Sequence, residues 1–454
     1  MKQFEWEKEF FQLTFRDKRL KQRFFQIMDD FAENPQESVL SASATRSSAK
    51  AAYRFLGKEV LTYEDVLNSI SKATIEKLLQ IETKEILLIQ DTTAVSFGNR
   101  RNIEGMGYYC DSAQKGMLVH SCIAVTDTGL PVGLIFQEIS TRSTRKNETQ
   151  KTKEQRKFRP IEEKENVRWI HTIRECNRRV PQEINRITIC DREGDFYELF
   201  AEAEHLKEHF LVRLTHNRMT EDGKRLFAEL KQSKAKGNIL LQIGRNVKEH
   251  IPSQKVNMEY HYEQVEIKRP RRRTEKHLKE KIDLYAIYIH ETGKAKGLHW
   301  FLLTNQPILC TEDAERQICN YIQRWKIERF HYVLKSGCKI EEKQSRSYEK
   351  LKLLTELYSV IALRILNITY MGRLCKEISG ELFLEKQEWK VLYCAAKKTP
   401  YLPEGNYTVY DIVLHLAMLG GRKGAPSDGM PGVQAIWKGL KTLYILLAYQ
   451  GFLK

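Results

Sequence analysis

The chain has 454 residues, more than one hydrophobic core ordinarily organises, so two to four domains are expected. Hydrophobic residues make up 41% and aromatics 10%, which suffices for packed cores and excludes a globally disordered chain. The net charge of +16 points to a polyanionic partner, because Lys and Arg gain affinity by releasing counterions from nucleic acid.

Met1 to Glu9 is charged and carries no apolar signal segment. No apolar run approaches the roughly eighteen residues of a membrane span, so a cytoplasmic protein is expected. Residues 1–72 read as short helices: Phe10, Leu13, Leu20, Phe24, Ile27 and Phe31 recur at helical spacing until Asn34–Pro35 interrupts them. A Ser/Ala-rich stretch, Ser41 to Ala49, leads into Ala51–Ala52–Tyr53–Arg54–Phe55–Leu56. Near residue 84 the character changes. Glu85 to Gln90 is a compact apolar run that predicts a buried strand ending in Asp91. Met117 to Val125 and Leu134 to Phe136 predict a strand–turn–strand unit. Thr141 to Arg159 reads as a basic, polar loop, and Glu165 to Arg179 as a helix. Ile187 to Cys190 predicts another short buried strand ending in an acid, Asp191. Residues 210–305 alternate in strand fashion, with Lys268–Arg269–Pro270–Arg271–Arg272–Arg273 at an expected hairpin tip. From Glu312 the chain reads as helical to its end, broken by a glycine-rich stretch from Gly420 to Gly432. The nine cysteines are an odd count with no CxxC spacing. Cys122 and Cys190 stand in apolar runs, so they read as small buried hydrophobes in a reducing compartment.

The candidate chemistry centres on residues Tyr321 to Lys335. At about 100° per residue, and with Tyr321 at zero, Arg324 falls near ~300°, Glu328 near ~340°, His331 near ~280° and Lys335 near ~320°. These side chains share one stripe, while Trp325, Phe330 and Val333 point elsewhere and are expected to pack. A glutamate flanked by cations suits a carboxylate metal ligand beside phosphate binders. Asp91 and Asp191 at strand ends would complete a set of three carboxylates, such as magnesium uses for phosphodiester chemistry.

Tyr321, Arg324, Glu328 and Lys335 match the Y-(2)-R-(3)-E-(6)-K signature of cut-and-paste DDE transposases of the insertion sequence 4 family. Gln90–Asp91–Thr92–Thr93, Cys190–Asp191–Arg192–Glu193 and Arg324 to His331 match the settings of the three acids, and the chain resembles that family over nearly its whole length. The resemblance implies an α/β fold. Its RNase H-like catalytic core (73–360) would carry a β-rich insertion at about 210–308, a helical N-terminal DNA-binding domain (1–72) and a helical C-terminal dimerisation domain (361–454). Asp91, Asp191 and Glu328 would be catalytic and would bind two Mg2+ ions, with Mn2+ substituting. Tyr321, Arg324, Lys335 and His331 would face DNA phosphates, and Arg213, Arg19, Arg23 and Arg54 would contact DNA. Lys50 is a further candidate from the residues alone. Trp300 would stack on a flipped base. The implied partners are transposon-end inverted repeats, target DNA and a second copy of the chain. The implied reaction is nicking, hairpin formation and resolution, then joining of 3′ ends to target DNA. A host-recruited nuclease and an inactive DNA-binding regulator are the alternatives. Tyr332 departs from the pattern, which has lysine there, and the 141–159 loop differs in sequence and length.

Overall fold

Apolar runs set the strands. The computed structural model describes residues 6–57, 60–81, 83, 85–98, 102–110, 114–142, 158–220, 223–243, 254–271, 278–294, 297–403, 405–423 and 429–452. The chain forms two compact units. The first comprises Met1–Thr83, Thr92–Asn147 and Lys326–Lys454, and the second Lys84–Asp91 and Glu148–Trp325.

In the second unit, the first half of β1 (Ile86–Ser96) pairs parallel with β4 (Arg186–Cys190), with Ile89 opposite Ile189. Ile86 to Ile89 are fully buried, as a strand covered on both faces requires. β5 (His209–Arg213) lies parallel to β4 and antiparallel to β9 (His299–Thr304). Beyond β9 come β8 (Lys281–Glu291), β7 (Gln254–Lys268) and β6 (Gly237–Ile243), each antiparallel to its neighbour. The 210–305 region therefore extends the same sheet through the β5–β9 pairing. It also contains a helix, Leu226–Gln232, where only strands were expected. Lys268 pairs with Lys281, so the basic cluster follows β7 in the β7–β8 connection, although residues 272–277 lie outside the described ones. Two helices, α1 (Val167–Arg179) and α2 (Tyr197–His205), supply Trp169, Ile173, Leu199 and Phe200 to the core, where Phe200 stacks on Phe210 at 5.1 Å. Truncating such an aromatic to Ala costs on the order of 3–5 kcal/mol.

In the first unit, β2 (Gly116–Thr126) and β3 (Pro131–Ser140) form the expected antiparallel hairpin, Cys122 opposite Phe136. The N-terminal and C-terminal helices pack together: Phe31 stacks on Tyr358 at 4.9 Å, and Lys343 donates to the Pro35 carbonyl at 2.7 Å. The boundaries expected at 72 and 360 fall inside continuous helices, Tyr63–Gln80 and Tyr348–Leu374. At the C-terminus, helices Val409–Leu419 and Val433–Phe452 cross so closely that a Cβ at Gly439 would stand 1.9 Å from the Leu416 carbonyl oxygen. Only glycine fits there. The nine cysteines form no disulfide among the described residues, with Cys122 and Cys190 fully buried as expected. Among the described residues, no helix is long and apolar enough to cross a membrane.

Candidate functional site

The strand register brings the two aspartates level. Asp91 and Asp191 each lie two residues beyond the paired Ile89 and Ile189, so the register of the neighbouring parallel strands sets the two acids at equivalent positions. Asp191 ends β4 as expected. Its Oδ1 accepts from the Glu193 backbone N–H at 2.8 Å and caps a short 3-10 turn, Arg192–Gly194. Asp91 differs from its expectation, because β1 does not stop there but runs on to Ser96. The polar residues Thr92 and Thr93 follow it, and an alternating strand tolerates them where a continuous apolar run was sought. Both aspartates are half-buried. Burial, then the charges of Asp191 and Asp91, push the Cys190 thiol well up, so Cys190 is an inert buried thiol in the core.

The turn after Asp191 depends on close packing. A Cβ at Gly194 would meet Cys190 Cβ at 2.6 Å. The next residue, Asp195, is buried and ion-paired with Arg218, and it accepts from the backbone N–H groups of Thr215 at 2.6 Å and His216 at 2.8 Å. It thus ties the segment after β5, and with it Arg213, to the Asp191 turn. The sequence reading did not single out Asp195, because a buried acid that accepts from backbone looks in sequence like any turn former.

Cations and aromatic rings gather beside the acids. Arg324 places Nη1 4.0 Å from Asp91 Oδ2, with both side chains largely buried. Burial lowers the affinity of Arg213 for its proton, opposed by Tyr321 and reinforced by Arg192 and Arg324, so three guanidinium groups share this electrostatic neighbourhood. Burial also raises the Tyr321 phenol, against the opposing charges of Arg324 and Arg213, and keeps it a neutral hydroxyl. Trp300 is buried, 9% exposed, with its ring 5.8 Å from that of Tyr321. Trp325, expected to pack, is instead 55% exposed beneath the Arg324 guanidinium, which lies 5.6 Å from its ring centre. The second unit therefore brings Asp91, Asp191, Arg213, Trp300, Tyr321 and Arg324 together.

The single helical stripe over Tyr321–Lys335 does not survive intact. One helix, Thr311–Ile322, ends just after Tyr321, and a second, Trp325–Tyr332, begins just after Arg324. A π-helical turn, Val333–Gly337, then carries Lys335, so no one angular period spans the segment. Within the first unit, Glu328 lies half-buried in the first turn of the Trp325–Tyr332 helix, where the helix dipole favours an anion. His331 was expected to face phosphate but is buried, 6% exposed. Burial, then the Lys335 charge, push its pKa down to about 3. It is a neutral interior side chain, because position 331 follows the buried Phe330 on the inward side of the helix. Lys335 donates to the Ala94 carbonyl at 2.9 Å and pairs with Glu341 at 3.3 Å. Glu341 in turn accepts from the Ser96 N–H at 2.9 Å.

At the N-terminus, helix Arg46–Gly57 buries Ala49, Ala52, Phe55 and Leu56 and exposes Arg46, Lys50 and Arg54 at intervals of four. The four-residue spacing makes one basic stripe. Arg19 is exposed and Arg23 half-buried on helix Lys18–Glu33, which Asp17 caps by accepting from the Arg19 N–H at 2.8 Å. Of the expected basic loop at 141–159, residues 143–157 lie outside the described ones.

Residues 5–60 match the transposase DNA-binding family, and residues 360–452 match the transposase Tn5 dimerisation domain. The matches at both ends are to domains of DNA transposases. They support a Tn5-like transposase, in agreement with the resemblance carried by Tyr321, Arg324, Glu328 and Lys335. Among solved structures it is similar to a piggyBac transposase synaptic complex with hairpin DNA, at 10% identity and a TM-score of 0.38, covering 86% of this chain and 78% of that one. That likeness is too distant to bear on the site.

Proposed function

We propose that the chain is a cut-and-paste DDE transposase with an RNase H-like core. It would bind terminal inverted repeats, excise its element through nicking, hairpin formation and resolution, and join the 3′ ends to target DNA as a homodimer. The observation that carries this reading is the equivalent placement of Asp91 and Asp191, each two residues beyond the paired Ile89 and Ile189 of adjacent parallel strands, with Arg324 beside Asp91. The parallel β1–β4–β5 trio and the β2–β3 hairpin are compatible with the proposed core.

The half-buried carboxylates supply hard oxygen donors, which fit Mg2+ and, as a substitute, Mn2+. Asp91 and Asp191 would hold two such ions, with Glu328, four residues after Arg324 in the chain, as the third carboxylate. Bound metal would lower the pKa of water or a 3′-hydroxyl and neutralise charge developing on the leaving oxygen. Arg324 and Arg213 would grip the phosphates flanking the scissile bond, and the neutral Tyr321 hydroxyl would donate to one of them. Lys335 would reach phosphate by exchanging its Ala94 and Glu341 partners. Trp300 would stack on an unpaired base after parting from Tyr321; stacking is worth about 1–3 kcal/mol per base, enough to offset unstacking. The basic stripe of Arg46, Lys50 and Arg54, with Arg19 and Arg23, would track the backbone of the transposon end.

The test is cleavage of a linear DNA carrying the repeats that flank the gene, with magnesium, by wild type and Glu328→Ala. The expected result is binding by both and cleavage by wild type alone. Cleavage by Glu328→Ala at the wild-type rate would remove the catalytic assignment.

A further inference from the structure

A second constellation lies in the same unit, on the β7–β8 ribbon. Glu259 and His261 stand two apart on β7 and so share a face, and His290 on β8 is directly opposite Glu259. Their ligand atoms converge: Glu259 Oε1 lies 3.2 Å from His290 Nε2 and 3.5 Å from His261 Nε2, and all three atoms lie within 4.8 Å of one another. Tetrahedral coordination with bonds of about 2.0–2.2 Å places ligand atoms roughly 3.3–3.5 Å apart. The two spacings to Glu259 Oε1 match.

The tautomer at His261 sharpens the case. His261 is 5% exposed, and its Nδ1 lies 2.8 Å from the Ser233 carbonyl oxygen, which can only accept. In the neutral ring Nδ1 therefore carries the proton, and the buried Nε2 presents a lone pair with no hydrogen-bond partner. That lone pair faces a carboxylate, an arrangement that repels unless a positive centre sits between them. An Nδ1–H bond to a backbone carbonyl is also how metal-binding histidines are ordinarily oriented. Tyr288, whose ring stacks 5.0 Å from that of His290 and lies 5.5 Å from that of His261, walls the cluster on the same face. Two imidazoles with one carboxylate favour zinc over the magnesium suited to Asp91 and Asp191.

We propose that Glu259, His261 and His290 bind one Zn2+ ion, which clamps β7 to β8 and leaves a fourth position for water. The site is independent of the proposed DNA chemistry.

The experiment uses the full-length protein, loaded with zinc sulfate, dialysed against magnesium buffer and assayed for zinc by atomic absorption. Wild type is expected to retain one zinc per chain, Asp191→Asn to retain the same, and Glu259→Gln and His290→Gln to lose it. The two variant positions are partly exposed, so these proteins should fold; their unfolding midpoints should equal that of wild type in EDTA. Cobalt substitution should give visible d–d bands without thiolate charge transfer, which separates this site from the cysteines. Wild type that retains no zinc, variants that retain as much as wild type, or thiolate charge-transfer bands in the cobalt form would overturn the proposal.

Discussion

The two halves of the Tyr321–Lys335 signature behave differently. Tyr321 and Arg324, in the second unit, lie among Asp91, Asp191, Arg213 and Trp300, and Arg324 approaches Asp91 to 4.0 Å. In the first unit His331 is interior and Lys335 is held by Ala94 and Glu341. A shared sequence spacing thus covers two kinds of position: side chains set beside the acids, and side chains engaged within their own packing. The break after Ile322 and the π-helical turn at Val333–Gly337 separate them.

Three changes probe that contrast, the largest first. Asp195 holds the Arg213 segment to the Asp191 turn through Arg218 and two backbone N–H groups. Asp195→Ala leaves the Arg218 charge poorly paired and should cost about 3–5 kcal/mol of stability, read from urea unfolding. A loss below about 1 kcal/mol would mean the turn is anchored some other way. Arg324→Ala removes a cation beside the acids and should slow end cleavage by roughly 10–100-fold, the worth of a charge-assisted bond of about 1.5–3 kcal/mol, with the unfolding midpoint little changed. Equal rates would place Arg324 with the engaged half. The change with the smallest effect at neutral pH concerns His331. Its folded pKa of about 3 lies below the unfolded value of 6.5, so the unfolded chain binds the proton first. Stability is full above pH 6.5 and should fall as pH drops from there towards 3, by at most about 1.4 kcal/mol per pH unit from this group. His331→Gln should flatten that slope in urea unfolding measured at several pH values; an unchanged slope would show that other groups set it.

Much of this was legible in sequence where local chemistry and long-range structure agree. Glu85 to Gln90 and Ile187 to Cys190 announced buried strands because both are short apolar runs bounded by polar residues. Their acids could be named because a change from apolar to acidic marks a strand's exit. Asp91 also showed the limit of that rule, since β1 continues through Thr92 and Thr93. The helical stripe failed in detail because a fixed angular step cannot register a break at Gln323 or a π turn. Trp325 was expected to pack because its angular position lies off the polar stripe, yet its ring lies exposed under Arg324. Glu259, His261 and His290 stayed invisible for a different reason. Only the β7–β8 register sets position 290 opposite 259, and no spacing along the chain encodes that pairing.

The most direct measurement exchanges one hard ligand for a soft one. Asp191→Cys should bind repeat-ended DNA but barely cleave it with Mg2+, and should recover part of its activity with Mn2+ or Cd2+, which accept thiolate. Cleavage by Asp191→Cys in magnesium at the wild-type rate would contradict a metal-binding role for Asp191.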